Sequence, residues 1–149
     1  MTITYSPCNP AQLELLIEMM HELDRDDAGG EMDEVREQAA LTVLIQDAQW
    51  GRIWFIAEGE TIIGYAILTF GFSVEWGGRS AEIDELYIRA AYRGRGIGTQ
   101  VIAFLTDFCR ANGICSLHLE VFNHNRGAYR FYRRRGFRER DSCEMSLKL

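Results

Sequence analysis

The sequence predicts a mixed α/β fold, a single domain whose central sheet is flanked by about four helices lying on both faces, and three patterns carry that expectation. Residues 82 to 88 form a short, partly alternating apolar stretch, as does Ser116 to Phe122. Between them, from Thr99 to Asn112, Val101, Ile102, Phe104, Leu105, Phe108 and Cys109 recur at helical spacing and the pattern closes at Gly113. A strand, helix and strand of this length imply a right-handed crossover between parallel neighbours. The third pattern is antiparallel: Arg52 to Glu58 and Thr61 to Phe72 flank Gly59-Glu60 as the arms of a hairpin.

In chain order, Thr2 to Ser6 suits a first strand. Asn9 can cap a helix that has Pro10 at its first position and Gln12 at the capping-box position, with Leu13, Leu16, Ile17 and Met20 on one face up to about Leu23. Asp24 to Gly30 is expected to break it. A second helix is expected from about Asp33 to Asp47, and the loop Ser73 to Arg79 leads into the strand at Glu82. Asn125 to Arg135 suits a last helix ended by Gly136, followed by two short strands, Phe137 to Arg140 and Cys143 to Lys148.

A chain of 149 residues suits one core that buries roughly two-thirds of the unfolded surface. No apolar run approaches the roughly 20 residues that cross a bilayer, and MTITYSPCNP has neither a basic nor an apolar leader segment, so no membrane partner and a cytoplasmic location are expected. Cys8, Cys109, Cys115 and Cys143 show no metal spacing and read as reduced, mostly packed thiols; no metal site is expected. Charge is uneven. Nine acids between residues 18 and 37 face only Arg25 and Arg36, whereas residues 126 to 140 hold seven arginines. These are either solvated helix faces or an acidic entrance for a cationic molecule and a basic region for an anionic one. A net charge of −6 argues against nucleic acid.

The stretch Arg93-Gly94-Arg95-Gly96-Ile97-Gly98 lies between a strand and a helix expected to start near Thr99. Uncovered N–H groups and the dipole at such a helix N-terminus favour an anion, and the glycines let the main chain approach a phosphate. A Walker loop is excluded, because the chain's single lysine is Lys148. The G-x-G-x-G spacing in mid-chain also differs from a dinucleotide fingerprint. A tight structural turn is the bland alternative.

Arg93 to Gly98 resembles the Arg/Gln-x-x-Gly-x-Gly/Ala pyrophosphate loop of the GNAT superfamily of N-acetyltransferases. Leu119-Glu120-Val121, Asn125, Ala128, Phe131-Tyr132 and Gly136-Phe137 resemble its second signature, so the likeness covers over a third of the chain. Arg89-Ala90-Ala91 departs from it where the family often has a proline. The resemblance implies acetyl-CoA as acetyl donor, bound by Arg93, Gly94, Arg95, Gly96, Ile97, Gly98 and Thr99, by the backbone of Leu86, Tyr87 and Ile88, and by Asn125 and Tyr132. It implies a catalytic base at Asp84 or, second, Glu82, with Tyr132 as proton donor to the leaving thiolate, and it implies a homodimer as a frequent assembly.

Chemistry agrees with a base in this place. An alkyl amine with a pKa of about 10.4 costs roughly 4.6 kcal/mol to hold neutral at pH 7. On an unbroken strand Glu82, Asp84, Leu86 and Ile88 share one face and Ile83, Glu85 and Tyr87 the other, so Glu85 joins the acids only if a bulge intervenes. The expected function is direct transfer from acetyl-CoA to a primary amine, a small cationic acceptor such as a polyamine, an aminoglycoside-like amine or an amino acid. The alternatives are a protein N-acetyltransferase, a non-catalytic acyl-CoA-binding module and an arginine-rich interaction protein.

Overall fold

Five strands in chain order form one sheet in a computed structural model that describes residues 2–27 and 33–149. Strands β1 (Ile3–Pro7), β2 (Gly51–Glu58), β3 (Thr61–Ser73) and β4 (Gly78–Ile88) pair antiparallel, and β5 (Ser116–Leu119) lies parallel to β4. The helices are α1 (Leu13–Asp27), α2 (Glu34–Gln46), α3 (Ile97–Ala111) and α4 (Arg126–Arg134). The expected mixed α/β fold is the one the chain adopts.

Both faces of the sheet are covered, which is why β2 reads as an unbroken apolar run, Ile53-Trp54-Phe55-Ile56, rather than as an alternation. On one face Leu16, Met19 and Met20 of α1 and Leu41 of α2 pack on Phe55, Tyr65, Ile67 and Tyr87. On the other, Val101, Ile102, Leu105 and Cys109 of α3 pack on Trp54, Ile56, Leu68 and Ile83. Of the four cysteines only Cys8 and Cys109 are buried; Cys115 and Cys143 are exposed, so "mostly packed" describes half of them, and all four are free thiols.

Local signals set most element limits. Asn9 and Gln12 form the reciprocal capping box, around a short 3-10 turn at Pro10–Gln12 that leads into α1. Asp33 caps α2 through an N–H donated by Arg36 at 3.2 Å. The expected break at Asp24 does not occur: the helix runs on to Asp27, because Glu22 and Asp26 are tied by ion pairs to Arg89 and Arg93 beyond β4. The remainder of that expected break, residues 28 to 30, lies outside the described residues, as does Glu31 of the acidic run.

The sheet opens at one point. In β4, Ile83 stands opposite Leu68 and Glu85 opposite Ile67, so Asp84 is an extra residue with no partner in register, a β-bulge. The pairing of β4 with β5 ends at Ile83 and Leu119, just before it, whereas β3 stays paired with β4 as far as Ile88. Hence β5 stops at Leu119 and not at Phe122 as the alternation suggested.

The two expected C-terminal strands do not form among the described residues. A strand needs an edge to pair with, and β5 offers only four residues. The segment instead makes side-chain contacts, Tyr129 donating to Glu139 at 2.9 Å and Arg140 pairing with Glu75 at 2.7 Å, while Met145, Leu147 and Leu149 are exposed.

Close strand approach requires glycine at Gly64, where an added Cβ would lie 2.2 Å from the Tyr87 carbonyl oxygen. Replacing Gly64 by alanine must part β3 from β4. The expected cost is about 1–3 kcal/mol, read as a lowered Tm in thermal unfolding.

Candidate active site

The bulge resets the faces of β4. Ile83, Leu86 and Ile88 pack toward α3, and Tyr87 packs toward α1. The uninterrupted alternation expected from sequence is therefore corrected: Leu86 and Ile88 share a face with Ile83, and Glu85 changes company with them.

Glu85 receives a hydrogen bond from the Tyr65 hydroxyl at 2.7 Å. Burial pushes its carboxyl up to about 7, with Asp84, Glu37 and Asp24 adding to the rise and the Tyr65 bond opposing it. Asp84 retains solvent contact, yet crowding by protein raises its carboxyl as well. Glu82 is exposed and stands opposite Thr69, two residues along β3 from the partner of Glu85 and so on the same face, and it lines a groove with His118, Leu119 and Tyr132. The bulge thus brings Glu82 and Glu85 to one face of β4, with Asp84 extruded between them.

Past the bulge β4 has an open edge. Arg89 donates its N–H to Ile63 at 2.9 Å, so by the two-residue alternation the main-chain groups of Tyr87 and Glu85 turn toward β3 and those of Leu86 and Ile88 toward the gap left by β5. The Ile88 carbonyl on that side accepts from Arg93 Nε at 2.6 Å.

Chain direction then carries the main chain through a 3-10 turn, Ala90–Tyr92, into the glycine loop. Gly94 and Gly96 have φ of 74° and 78°, left-handed values that disfavour any side chain, and an added Cβ at either would meet only open space. Gly96 is the N-cap of α3 and offers no side chain to the first amides, which leaves those donors for an anion. Gly98 serves packing: its Cβ would come within 3.1 Å of the Phe131 ring. Arg93 pairs with Asp26, and Arg95 pairs with the buried Glu58 at 2.6 Å and lies over Tyr92. Both arginines brace the loop. At its far end the Thr99 hydroxyl accepts from Arg135, whose Nε lies at 3.1 Å.

Across the gap stands α4. Asn125 caps it, accepting the Ala128 N–H at 3.1 Å. Tyr132 is edge-on to Phe131 and Phe137, with ring centroids 5.0 and 5.6 Å away. Burial, and to a lesser extent Asp27, push its hydroxyl up to about 12. It remains a donor at neutral pH.

The acetyltransferase (GNAT) family matches residues 17–137 of the chain. The chain belongs to the GNAT acetyltransferase family. It is 29% identical over 87 residues to the thialysine N-epsilon-acetyltransferase of Bos taurus, covering 58% of this chain and 51% of that protein. With the streptothricin acetyltransferase of Streptomyces lavendulae it shares 35% identity over 81 residues, 54% of this chain and 40% of that protein. The chain thus spans about half the length of such relatives. Among solved structures, the integron cassette protein HFX_CASS3 from the Cole Harbour Salt Marsh metagenome superposes with a TM-score of 0.83 at 28% identity, covering 97% of this chain and 90% of that one. Among the described residues no group of His, Cys, Asp and Glu could hold a metal, and no helix is long and apolar enough to cross a membrane.

The sequence admits Glu85 only on condition of a bulge and does not single out Tyr65 or Arg135. The tyrosines and the arginine run are visible in the sequence, but the bulge that selects Glu85 leaves no trace in it. A second pair, Glu22 with Arg89 and the Tyr87 hydroxyl, was also unread.

Two opposite pH dependences follow. Arg89 and Tyr87 hold the Glu22 carboxyl below its usual value, so its contribution is present above the unfolded pKa and is lost as pH falls. Glu22→Gln should lower Tm at pH 7 and flatten the loss of stability below pH 5. Glu85 is raised, so its cost appears as pH rises from about 4.5 to about 7. Glu85→Gln should unfold at a higher temperature than the parent at pH 8, with the gap closing at pH 4.

Proposed function

We propose that this protein is an N-acetyltransferase that moves the acetyl group of acetyl-CoA directly to a primary amine, with Glu85 as the base. One observation carries the reading: a carboxylate near neutral pKa, without a cationic partner among the described residues, sits where β4 has an unpaired edge leading into a glycine-lined helix N-terminus. In this reading the pyrophosphate rests on the first amides of α3, with Arg93 and Arg135 supplying positive charge nearby. The pantetheine arm pairs with the open groups of Leu86 and Ile88 as an added strand would.

The amine arrives protonated and gives its proton to Glu85, directly or through water. Its lone pair forms the C–N bond to the thioester carbonyl, and the oxyanion that develops is stabilised by a β4 N–H. The C–S bond then breaks, the nitrogen gives up its second proton to water to leave the neutral amide, and the thiolate takes a proton from the Tyr132 hydroxyl. Tyrosine regains it from solvent or from the proton held on Glu85.

Asp84 supports a second reading, in which it is the base acting through water, because its carboxyl is also raised. Asp84, Glu37 and Asp24 all act on Glu85, and this concentration of acidic charge supports a small cationic acceptor. Relatives named for thialysine and streptothricin lie in the same direction. A cytoplasmic location, a homodimer and one domain over residues 1–149 complete the proposal; sedimentation of the purified protein tests the second.

The deciding experiment is CoA release, detected as free thiol, from acetyl-CoA offered with putrescine, spermidine, lysine, thialysine, kanamycin and streptothricin. Turnover with one of these should fall 10²–10⁴-fold in Glu85→Gln and strongly in Tyr132→Phe, with acetyl-CoA affinity kept. Loss of that size in Asp84→Asn, with Glu85→Gln active, transfers the role to Asp84. Tight acetyl-CoA binding without turnover of any amine favours an acyl-CoA-binding module.

A further inference from the structure

We propose that Tyr65 is a positioning residue for this transfer, its hydroxyl holding one oxygen of Glu85 so that the other is aimed at the acceptor nitrogen. The inference rests on Glu85 being the base and goes beyond it to what makes that carboxylate usable.

Tyr65 is fully buried, at 0% exposure, and its ring is fixed by the packing of β3 on α1 and by the Tyr87 ring 5.9 Å away. Glu85 stands opposite Ile67, two residues along β3 from Tyr65, a diagonal that a tyrosine can span. The resulting bond, 2.7 Å to Oε2, is the one hydrogen bond to the Glu85 side chain among the described residues. Oε1 is left to accept a proton.

The adjacent tyrosine provides an internal comparison. Tyr87 also donates to a glutamate, Glu22, at 3.0 Å, but Arg89 binds that carboxylate through two nitrogens at 2.9 and 3.2 Å. Glu22 is thereby committed to an ion pair. Glu85 has no ion pair among the described residues, and the charges that act on it are acids, Asp84 on its own strand, Glu37 on α2 and Asp24 on α1, beside the one phenol of Tyr65 on β3. A neutral donor lets it remain ionisable without a competing cation. Burial and the facing carboxylate raise the Tyr65 hydroxyl above its ordinary value, so it stays protonated throughout the working range and does not itself exchange the proton.

Removing the hydroxyl while keeping the ring separates this role from packing. Loss of a hydrogen bond that favours the charged carboxylate should raise the Glu85 titration midpoint in Tyr65→Phe from about 7 by about one pH unit or more. Protein carrying 13C at the glutamate carboxyl reads this by NMR, the Glu85 signal being assigned by its loss in Glu85→Gln. With the panel amine that turns over, the acid limb of kcat/KM should shift by the same amount, acetyl-CoA affinity should not change, and adding Tyr65→Phe to Glu85→Gln should alter the residual rate less than twofold. An unmoved midpoint and limb, or an equal loss of rate in both backgrounds, overturns the inference while Glu85→Gln remains impaired. If Glu85→Gln keeps full turnover, it is the reading of Glu85 as base that fails, and the role of Tyr65 with it.

Discussion

The extra residue at Asp84 is the constraint on which the site depends. One unpaired position in β4 turns Glu85 toward Tyr65, puts Leu86 and Ile88 on the α3 face, and coincides with the end of β4–β5 pairing. A regular strand would continue to pair with β5, leaving no free main-chain donors beside the glycine loop. The bulge is thus what allows a closed, two-faced sheet to present an edge to a ligand, and its cost is a local loss of ladder hydrogen bonds.

Charge pairing holds that opened edge in place. Arg89 on Glu22 and Arg93 on Asp26 fasten the end of β4 and the start of the loop to α1, and Arg95 on Glu58 fastens the loop to β2. The Glu22 pair is the best sheltered, with side chains 30% and 20% exposed, and it adds a tyrosine hydroxyl, whereas the half-exposed Arg93 contributes less to stability. These contacts also divide the acids of α1 into two kinds. Glu22 and Asp26 are spent on arginines; Asp24 remains to influence Glu85.

Much of the fold was legible because it was local. Asn9 with Gln12 forms the capping box its spacing announces, helices begin beside Asp33 and Asn125 as expected, and Gly59 turns the β2–β3 hairpin with a φ of 61°. Gly94 and Gly96 likewise announced a loop that needs positive φ. What was not legible depends on distant partners. Nothing in Glu82-Ile83-Asp84-Glu85 marks which residue will be extruded, since the choice is made by register with β3. Arg93 and Arg95 sit beside the glycines, but the acids they meet, Asp26 and Glu58, lie 67 and 37 positions away and are not announced by the loop. The C-terminal alternation through Cys143, Met145 and Leu147 reads as a strand, but the edge beside it, β5, is only four residues long and no strand forms there among the described residues.

Amide hydrogen exchange, resolved at Glu85, Leu86, Tyr87 and Ile88 with and without acetyl-CoA, tests the opened edge most directly. The account predicts slow exchange at Glu85 and Tyr87 in both states, and rapid exchange at Leu86 and Ile88 that becomes slow when acetyl-CoA is added. Equal protection of all four amides in the free protein, or no change at Leu86 and Ile88 on saturation with acetyl-CoA, would contradict it.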